Sequence, residues 1–369
     1  MDMITNQVIH NGLEGIVAAE TRLSMVDGER GELVIGGFRV EELAASATFE
    51  ETLLLLWDGE FPASDAVVAL RRALAQRRTL SHATITLLQN IANEGGTSAM
   101  DALRMAAASI VAPDDDREAA MHLVAKFPTI VAAYWRLTHH QQPIAPREDL
   151  GHAANYLYML TGDEPSAERV RGLETYLNTV VDHGLNASTF TARVIASTES
   201  DFVSAITGAI GALKGPLHGG APGPALDMVF EIGEASRAEE VLRKKIAAGE
   251  RLMGFGHRVY KVRDPRADVL AAAAQRMFTN GGDMKLYDLA RDVEAVALRL
   301  LEEHKPGRKL QTNVEFYTAL LLHGLGLDVP LFTPTFAISR VGGWTAHCFE
   351  QRAAKRIIRP QSVYVGRMP

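Results

Sequence analysis

Residues 48–62 read TFEETLLLLWDGEFP, a helix with both of its ends written into the sequence. Thr48 followed by Glu51 is a capping box, in which hydroxyl and carboxylate each take up a backbone N–H that the first helical turn leaves free. The apolar run 53–57 follows, and Gly59 and Pro62 stop it. The same pattern recurs outward along the chain. Amphipathic stretches at 65–78, 82–93, 99–111, 117–134, 166–183, 201–213, 238–248, 265–277, 286–303 and 314–323 alternate with short Gly/Pro breaks. Strand signal is confined to 21–25 and 32–36, which flank Asp27-Gly28, a dipeptide that tolerates the positive φ of a tight turn. The expected fold is therefore all-α with one small N-terminal β-hairpin. Pro128 lies inside the 117–134 stretch, where its ring removes a donor and crowds the preceding turn, so a kink or split is expected. The acidic run Asp114-Asp115-Asp116 reads as a loop or helix start rather than a metal site.

Composition narrows the class. At 369 residues the chain exceeds the size at which one core stops growing, so two unequal domains are expected. A hydrophobic share of 47% and a mean hydropathy of −0.01 fit a globular protein with a sizeable core and exclude a disordered chain. The net charge of −7 argues against a nucleic-acid coat, which needs a basic surface. Cys348 is the only cysteine, so neither an internal disulfide nor a thiolate metal cage is available and a reducing compartment is expected. The opening MDMITNQVIH lacks the pattern of a secretory signal, and no apolar stretch is long enough for a membrane span. A cytoplasmic protein that binds neither nucleic acid nor membrane is the expectation.

Three segments carry chemistry: Gly-Pro-Leu-His-Gly-Gly-Ala at 215–221, Gly-Phe-Gly-His-Arg-Val-Tyr-Lys at 254–261 running into Asp264-Pro265-Arg266, and Asn-Val-Glu-Phe-Tyr at 313–317. Each sets a titratable side chain beside backbone that can lie close to a ligand. His218 and His257 follow Gly-containing turns, and Glu315 opens a predicted helix whose dipole favours its ionised form. Together they form an acid–base set. A metal site built from His183, His218, His257 and Glu315 lacks the short helical ligand spacings, so no metal is expected. The Gly-Phe-Gly-His turn lacks the third Gly of a dinucleotide loop, and no Gly-Lys-Ser/Thr occurs. His139, His140 and His152 read as surface or packing residues, and Trp344, Phe349 and 320–322 as core or interface.

In this order, the three segments resemble the citrate synthase family. The similarity extends to Asp182-His183-Gly-Leu-Asn-Ala-Ser-Thr-Phe upstream, Ser339-Arg340 and Arg359-Pro-Gln-Ser downstream, and residues 31–43 near the start. It covers nearly the whole chain. The resemblance implies an all-α homodimer with a large discontinuous domain, 1–218 and 321–369, and a small helical domain, 219–320. It also implies condensation of acetyl-CoA with oxaloacetate and hydrolysis of the adduct to citrate and CoA, with acyl-CoA as co-substrate and no permanently bound cofactor. Glu315 then matches the base, His218 the donor to the enolate, and His257 the acid on the ketone. His183, Arg266, Arg340 and Arg359 match the groups that hold oxaloacetate, Arg359 reaching in from the partner subunit. Gly254, Phe255, Gly256, Lys261, Arg308 and Lys309 match positions that meet the coenzyme. One position departs from the usual pattern: Glu315 stands where most relatives carry Asp, one methylene shorter. Two alternatives remain open, 2-methylcitrate synthesis from propionyl-CoA and a non-catalytic sensor of CoA or a dicarboxylate.

Overall fold

The computed structural model describes residues 9–218, 222–257, 259–280 and 284–368. Helices dominate them: α1 (Val40–Ser46), α2 (Phe49–Asp58), α3 (Ser64–Ala75), α4 (His82–Glu94), α5 (Ala99–Ala108), α6 (Asp116–Thr138), α7 (His152–Thr161) and α8 (Ala167–Val180) in the first half. The second half holds α9 (Ala187–Ala196), α10 (Phe202–Leu213), α11 (Pro222–Ile232), α12 (Ala238–Ala247), α13 (Pro265–Thr279), α14 (Met284–His304), α15 (Val314–Gly324) and α16 (Phe332–Ala354). The expected capping box is present, with Thr48 Oγ1 accepting from Glu51 N at 3.3 Å and Glu51 Oε2 accepting from Thr48 N at 2.6 Å. Ser81, Ser98, Asp115, Ser166, Asn186 and Asp201 cap their helices more simply, each side chain accepting one backbone N–H of the first turn.

The sequence expectation needs three corrections. The hairpin strands are β1 (Ser24–Asp27) and β2 (Glu32–Ile35), and a third short strand, β3 (Phe38–Arg39), extends the sheet in antiparallel order 1-2-3. At two residues β3 is too short to show an alternating pattern. Pro128 does not split its helix: α6 runs from Asp116 to Thr138 through it, with 119–121, 123–125 and 127–134 buried, and that packing outweighs the cost of the lost donor. Helices α1, α7, α9, α11 and α16 were not expected.

The core is organised on α16. It packs against α2, α5, α6, α8, α9 and α10, and Trp344 and Cys348 on it are fully enclosed. The apolar run of α2 meets it directly, since Trp57 Nε1 donates to Thr345 Oγ1 at 3.0 Å. Each fully buried leucine of that run contributes roughly 1.5–3 kcal/mol. Burial also pushes the Cys348 thiol up to about 12. On the other side α13 packs against α1, α8, α14 and α15, so the segment after residue 254 is seated on helices from the first half of the chain. No single described helix is long and apolar enough to cross a membrane.

Candidate active site

A short antiparallel contact brings His257 and Glu315 together. Gly254 and Gly256 take φ of +87° and +80°, values that side-chain-bearing residues rarely adopt. This lets the 254–256 turn zip onto the lead-in of α15: Asn313 N donates to Gly254 O at 3.0 Å, Gly256 N to Gln311 O at 2.7 Å, and Asn313 Nδ2 to Gly256 O at 2.8 Å. Asn313 also caps α15 by accepting from Glu315 N. Immediately beyond the turn, His257 Nδ1 accepts from the backbone N–H groups of Val259 (3.0 Å) and Tyr260 (3.1 Å). Backbone nitrogens only donate, so the imidazole proton sits on Nε2. That nitrogen lies 3.3 Å from Arg266 Nη2, also a donor, so an oxygen bridging the two would accept from both. Burial, with the neighbouring Arg266 charge, lowers His257 to about 4. It is a neutral donor at physiological pH.

Asp264 ties the arginine to the carboxylate helix. Its Oδ1 accepts from Arg266 N and Nε and its Oδ2 from Arg266 Nη2 at 2.8 Å, while Oδ2 also accepts from Val314 N at 3.1 Å, at the start of α15. Both partners are buried, at 1% and 4% exposure. Glu315 stands one residue further along α15. Burial pushes its carboxyl up to about 7, Arg266 opposing and Asp264 reinforcing the shift. Behind the turn, buried Glu294 accepts from Thr312 Oγ1, Arg263 Nη1 and Tyr317 Oη at 2.5–2.7 Å, fixing the strand-like segment that leads to Glu315.

The loop between α8 and α9 closes the third side. His183 Nε2 lies 3.1 Å from Tyr260 Oη, and its ring meets that of His257 edge-on at 6.0 Å. Burial and the charges of Arg266 and Arg340 hold His183 well below its usual range. His218 is reached from α9. Ser188 N donates to its Nε2 at 3.3 Å, and Ser188 Oγ lies 2.8 Å from the same nitrogen. With Nε2 accepting, the proton is left on Nδ1. Burial and Arg340 lower His218 to about 4. Residues 219–221 of the Gly-rich segment and Arg258 of the second one lie outside the described residues.

Arg340 is the most telling group. It is 2% exposed, donates from Nε to Val180 O at 2.7 Å and stacks over Phe336, yet forms no ion pair among the described residues. Burial lowers it to about 10. A buried guanidinium without a carboxylate carries a desolvation penalty of several kcal/mol, which an anionic ligand would offset. Arg340 acts on both His183 and His218, and Arg266 on His183, His257 and Glu315, so these six side chains share one electrostatic neighbourhood.

Beside it opens a hollow of about 490 Å³ that Phe255, Gly256, His257 and Arg308 line. Arg251 and Lys305 line it too, two cations that the sequence reading missed. Three expected coenzyme positions are not in its wall: Gly254 is buried beneath Phe316, and Lys261 and Lys309 are exposed elsewhere on the same loops. Lys261 instead donates its backbone N–H to Gly28 O, anchoring the loop to the N-terminal hairpin turn. Arg359 is exposed in the segment after α16 and makes no ion pair with the cluster among the described residues. Tyr260, Asp264 and Ser188 also escaped the sequence reading. Of these only Asp264 carried a signal, because Asp before Pro marks a helix start.

Neutral histidine donors, a carboxyl titrating near 7 and buried arginines define an acid–base enzyme site for an anionic substrate. The family model "Citrate synthase, C-terminal domain" matches residues 12–361. The chain is 40% identical over 371 residues to the citrate synthase of Haloferax volcanii, covering 97% of this chain and 96% of that one. It is likewise 40% identical to the 2-methylcitrate synthase of Mycobacterium tuberculosis, over 97% and 91%. The structure of Thermoplasma acidophilum citrate synthase in ternary complex with carboxymethyl coenzyme A and oxaloacetate superimposes with a TM-score of 0.88 at 30% identity, covering 99% of this chain and 98% of that one. The chain belongs to the citrate synthase family and is an acyltransferase of that type.

Proposed function

We propose that the protein condenses acetyl-CoA with oxaloacetate and hydrolyses the thioester adduct to citrate and CoA. The observation that carries this reading is the unpaired, buried Arg340 beside Arg266, a cationic pair suited to a dicarboxylate, with the protons of His218 and His257 available as neutral donors. Glu315 removes a proton from the acyl methyl group, and His218 Nδ1–H donates to the thioester oxygen as the enolate forms. The enolate carbon attacks the ketone carbon while His257 Nε2–H gives its proton to the ketone oxygen. Water then cleaves the thioester, releasing CoA as thiol and leaving a new carboxylate. His183, Arg266 and Arg340 hold the dicarboxylate. Arg359 completes the clamp from the partner subunit of a homodimer, in keeping with its exposure here. The coenzyme lies along the hollow lined by Arg251, Lys305 and Arg308. On this reading 1–218 with 321–369 form one domain and 219–320 the other, and the single unpaired cysteine suits a cytoplasmic setting.

A relative named 2-methylcitrate synthase at equal identity favours a second acyl donor, propionyl-CoA. One methylene changes selectivity by only ~1–3 kcal/mol, so both donors are expected to react. The test is CoA thiol release with oxaloacetate and each donor. A higher kcat/KM for acetyl-CoA supports the proposal, and a higher value for propionyl-CoA supports 2-methylcitrate synthesis. Binding without release by either identifies a sensor. The pH profile is a second check. Glu315 must be ionised to act, so kcat/KM for the acyl donor rises about tenfold per pH unit up to an apparent pKa near 7, then levels. The histidines, lowered to about 4, add no limb above pH 5. A profile flat from pH 5 to 8 would contradict Glu315 as base.

A further inference from the structure

The residue before His183 opens onto a buried polar network that the reaction does not use. Asp182 is fully enclosed. Its Oδ2 accepts from Ser24 Oγ at 2.5 Å, and that hydroxyl in turn accepts from Gly184 N at 2.8 Å, so β1 clamps the loop on both sides of His183. Its Oδ1 faces His347 Nε2 at 3.1 Å. The other nitrogen of that ring, Nδ1, lies 3.0 Å from Arg193 Nη1. A guanidinium only donates, so Nδ1 accepts and the proton on Nε2 points at Asp182.

Arg193 branches further. Its Nη1 also donates to Glu350 Oε2 at 2.9 Å, and its Nε donates to Gln351 Oε1 at 3.1 Å. Gln351 Nε2 then donates to Arg356 O at 2.8 Å, just past the end of α16, and Ile358 N is held by Ser197 Oγ at 3.0 Å. The next residue is Arg359. One face of α16 therefore carries Arg340 at the substrate pocket, His347 against Asp182 and Gln351 at the root of the C-terminal segment. Gly343 on the same helix lets it lie against the loop backbone, since a Cβ there would fall 2.2 Å from Val181 O.

We propose that Arg193 and His347 are positioning residues that serve two oxaloacetate sites at once. Through Asp182 they set His183 in their own protomer, and through Gln351 they set the departure of the segment that delivers Arg359 to the partner. This rests on the reading above, in which His183 and Arg359 contact oxaloacetate. Well-packed apolar side chains would stabilise this region at least as well as a buried ionic network, so its value lies in fixed geometry.

Steady-state kinetics on the full-length protein test it, with thermal melts to confirm folding. His347→Leu and Arg193→Met should raise KM for oxaloacetate about 10- to 100-fold and change kcat and the acyl-CoA KM by less than about 3-fold. His347→Gln keeps a donor toward Asp182 and should restore most of the affinity. Gln351→Leu cuts the branch to the C-terminal segment at Arg193 Nε while leaving Arg193 Nη1 on His347 and Glu350, and it remains informative if the other two variants fail to fold. It should raise the oxaloacetate KM, add nothing to Arg359→Ala, and add fully to His183→Ala. An unchanged oxaloacetate KM in His347→Leu and Gln351→Leu, with His183→Ala and Arg359→Ala both raising it, overturns the positioning role and leaves the function intact. If His183→Ala and Arg359→Ala leave KM unchanged, the assignment of those two residues fails and this proposal falls with it.

Discussion

Glu315→Gln lowers kcat by about 10³- to 10⁴-fold and leaves oxaloacetate affinity within a few-fold of the parent. The amide keeps the shape of the side chain and the hydrogen bond from Glu315 N to Asn313, but has no basic oxygen able to take a carbon-bound proton. Stability moves the other way. Glu315 titrates near 7 in the fold against 4.5 in the open chain, so the folded state binds its proton more tightly. Its contribution is fully present below pH 4.5 and is lost as pH rises through 7, a swing of about 3 kcal/mol. The amide has no proton to lose. The inactive variant should therefore melt higher than the parent at pH 8 and about equally at pH 5. Calorimetry at the two pH values, beside single-turnover kinetics, reads both effects. Retained turnover would mean that another group is the base.

Arg266→Leu should be the most damaging single change to the fold of the site. It strands Asp264, at 1% exposure, with backbone donors alone, and breaking a buried ion pair from one side costs ~3–5 kcal/mol. Because Asp264 also receives Val314 N, the loss spreads to the helix start that holds Glu315. Oxaloacetate affinity should fall at least about 100-fold, since the bidentate cation facing His257 Nε2 is gone. The double variant Asp264→Asn with Arg266→Leu removes the stranded charge. It should recover most of the melting temperature and none of the affinity. A single variant that melts like the parent would show that the pair is not as enclosed as its exposure indicates.

The parts of this architecture that were legible in the sequence are those set by neighbours along the chain. Thr48 and Glu51 are three residues apart, and their capping box forms as expected. Helix α16 was missed because it is buried nearly all round, with Gly342-Gly343 at its centre, and so shows no polar face to give a period. Helix α9 was hidden inside a motif read for its chemistry, although Asn186 is its cap. Among site residues, His218, His257 and Glu315 were visible because each sits by a glycine turn or a helix start. Tyr260, Ser188 and Asp264 gain their meaning from partners 77, 30 and 50 positions away, respectively His183, His218 and Val314. No local pattern encodes such distances. Arg359 lies exposed in the segment after α16, so the role proposed for it rests on a family motif and on no contact within the chain.

The enclosed sulfur of Cys348 has a practical consequence. Thiolate, not thiol, attacks disulfide reagents, and a group pushed up to about 12 inside a sealed core presents almost none at neutral pH. A colorimetric reagent added to the reaction therefore registers liberated coenzyme against a silent protein background. The same silence makes the chain ready for spectroscopy: a single cysteine engineered beside Arg359 would take up a fluorophore or spin probe selectively, and would report directly whether that segment reaches a second chain.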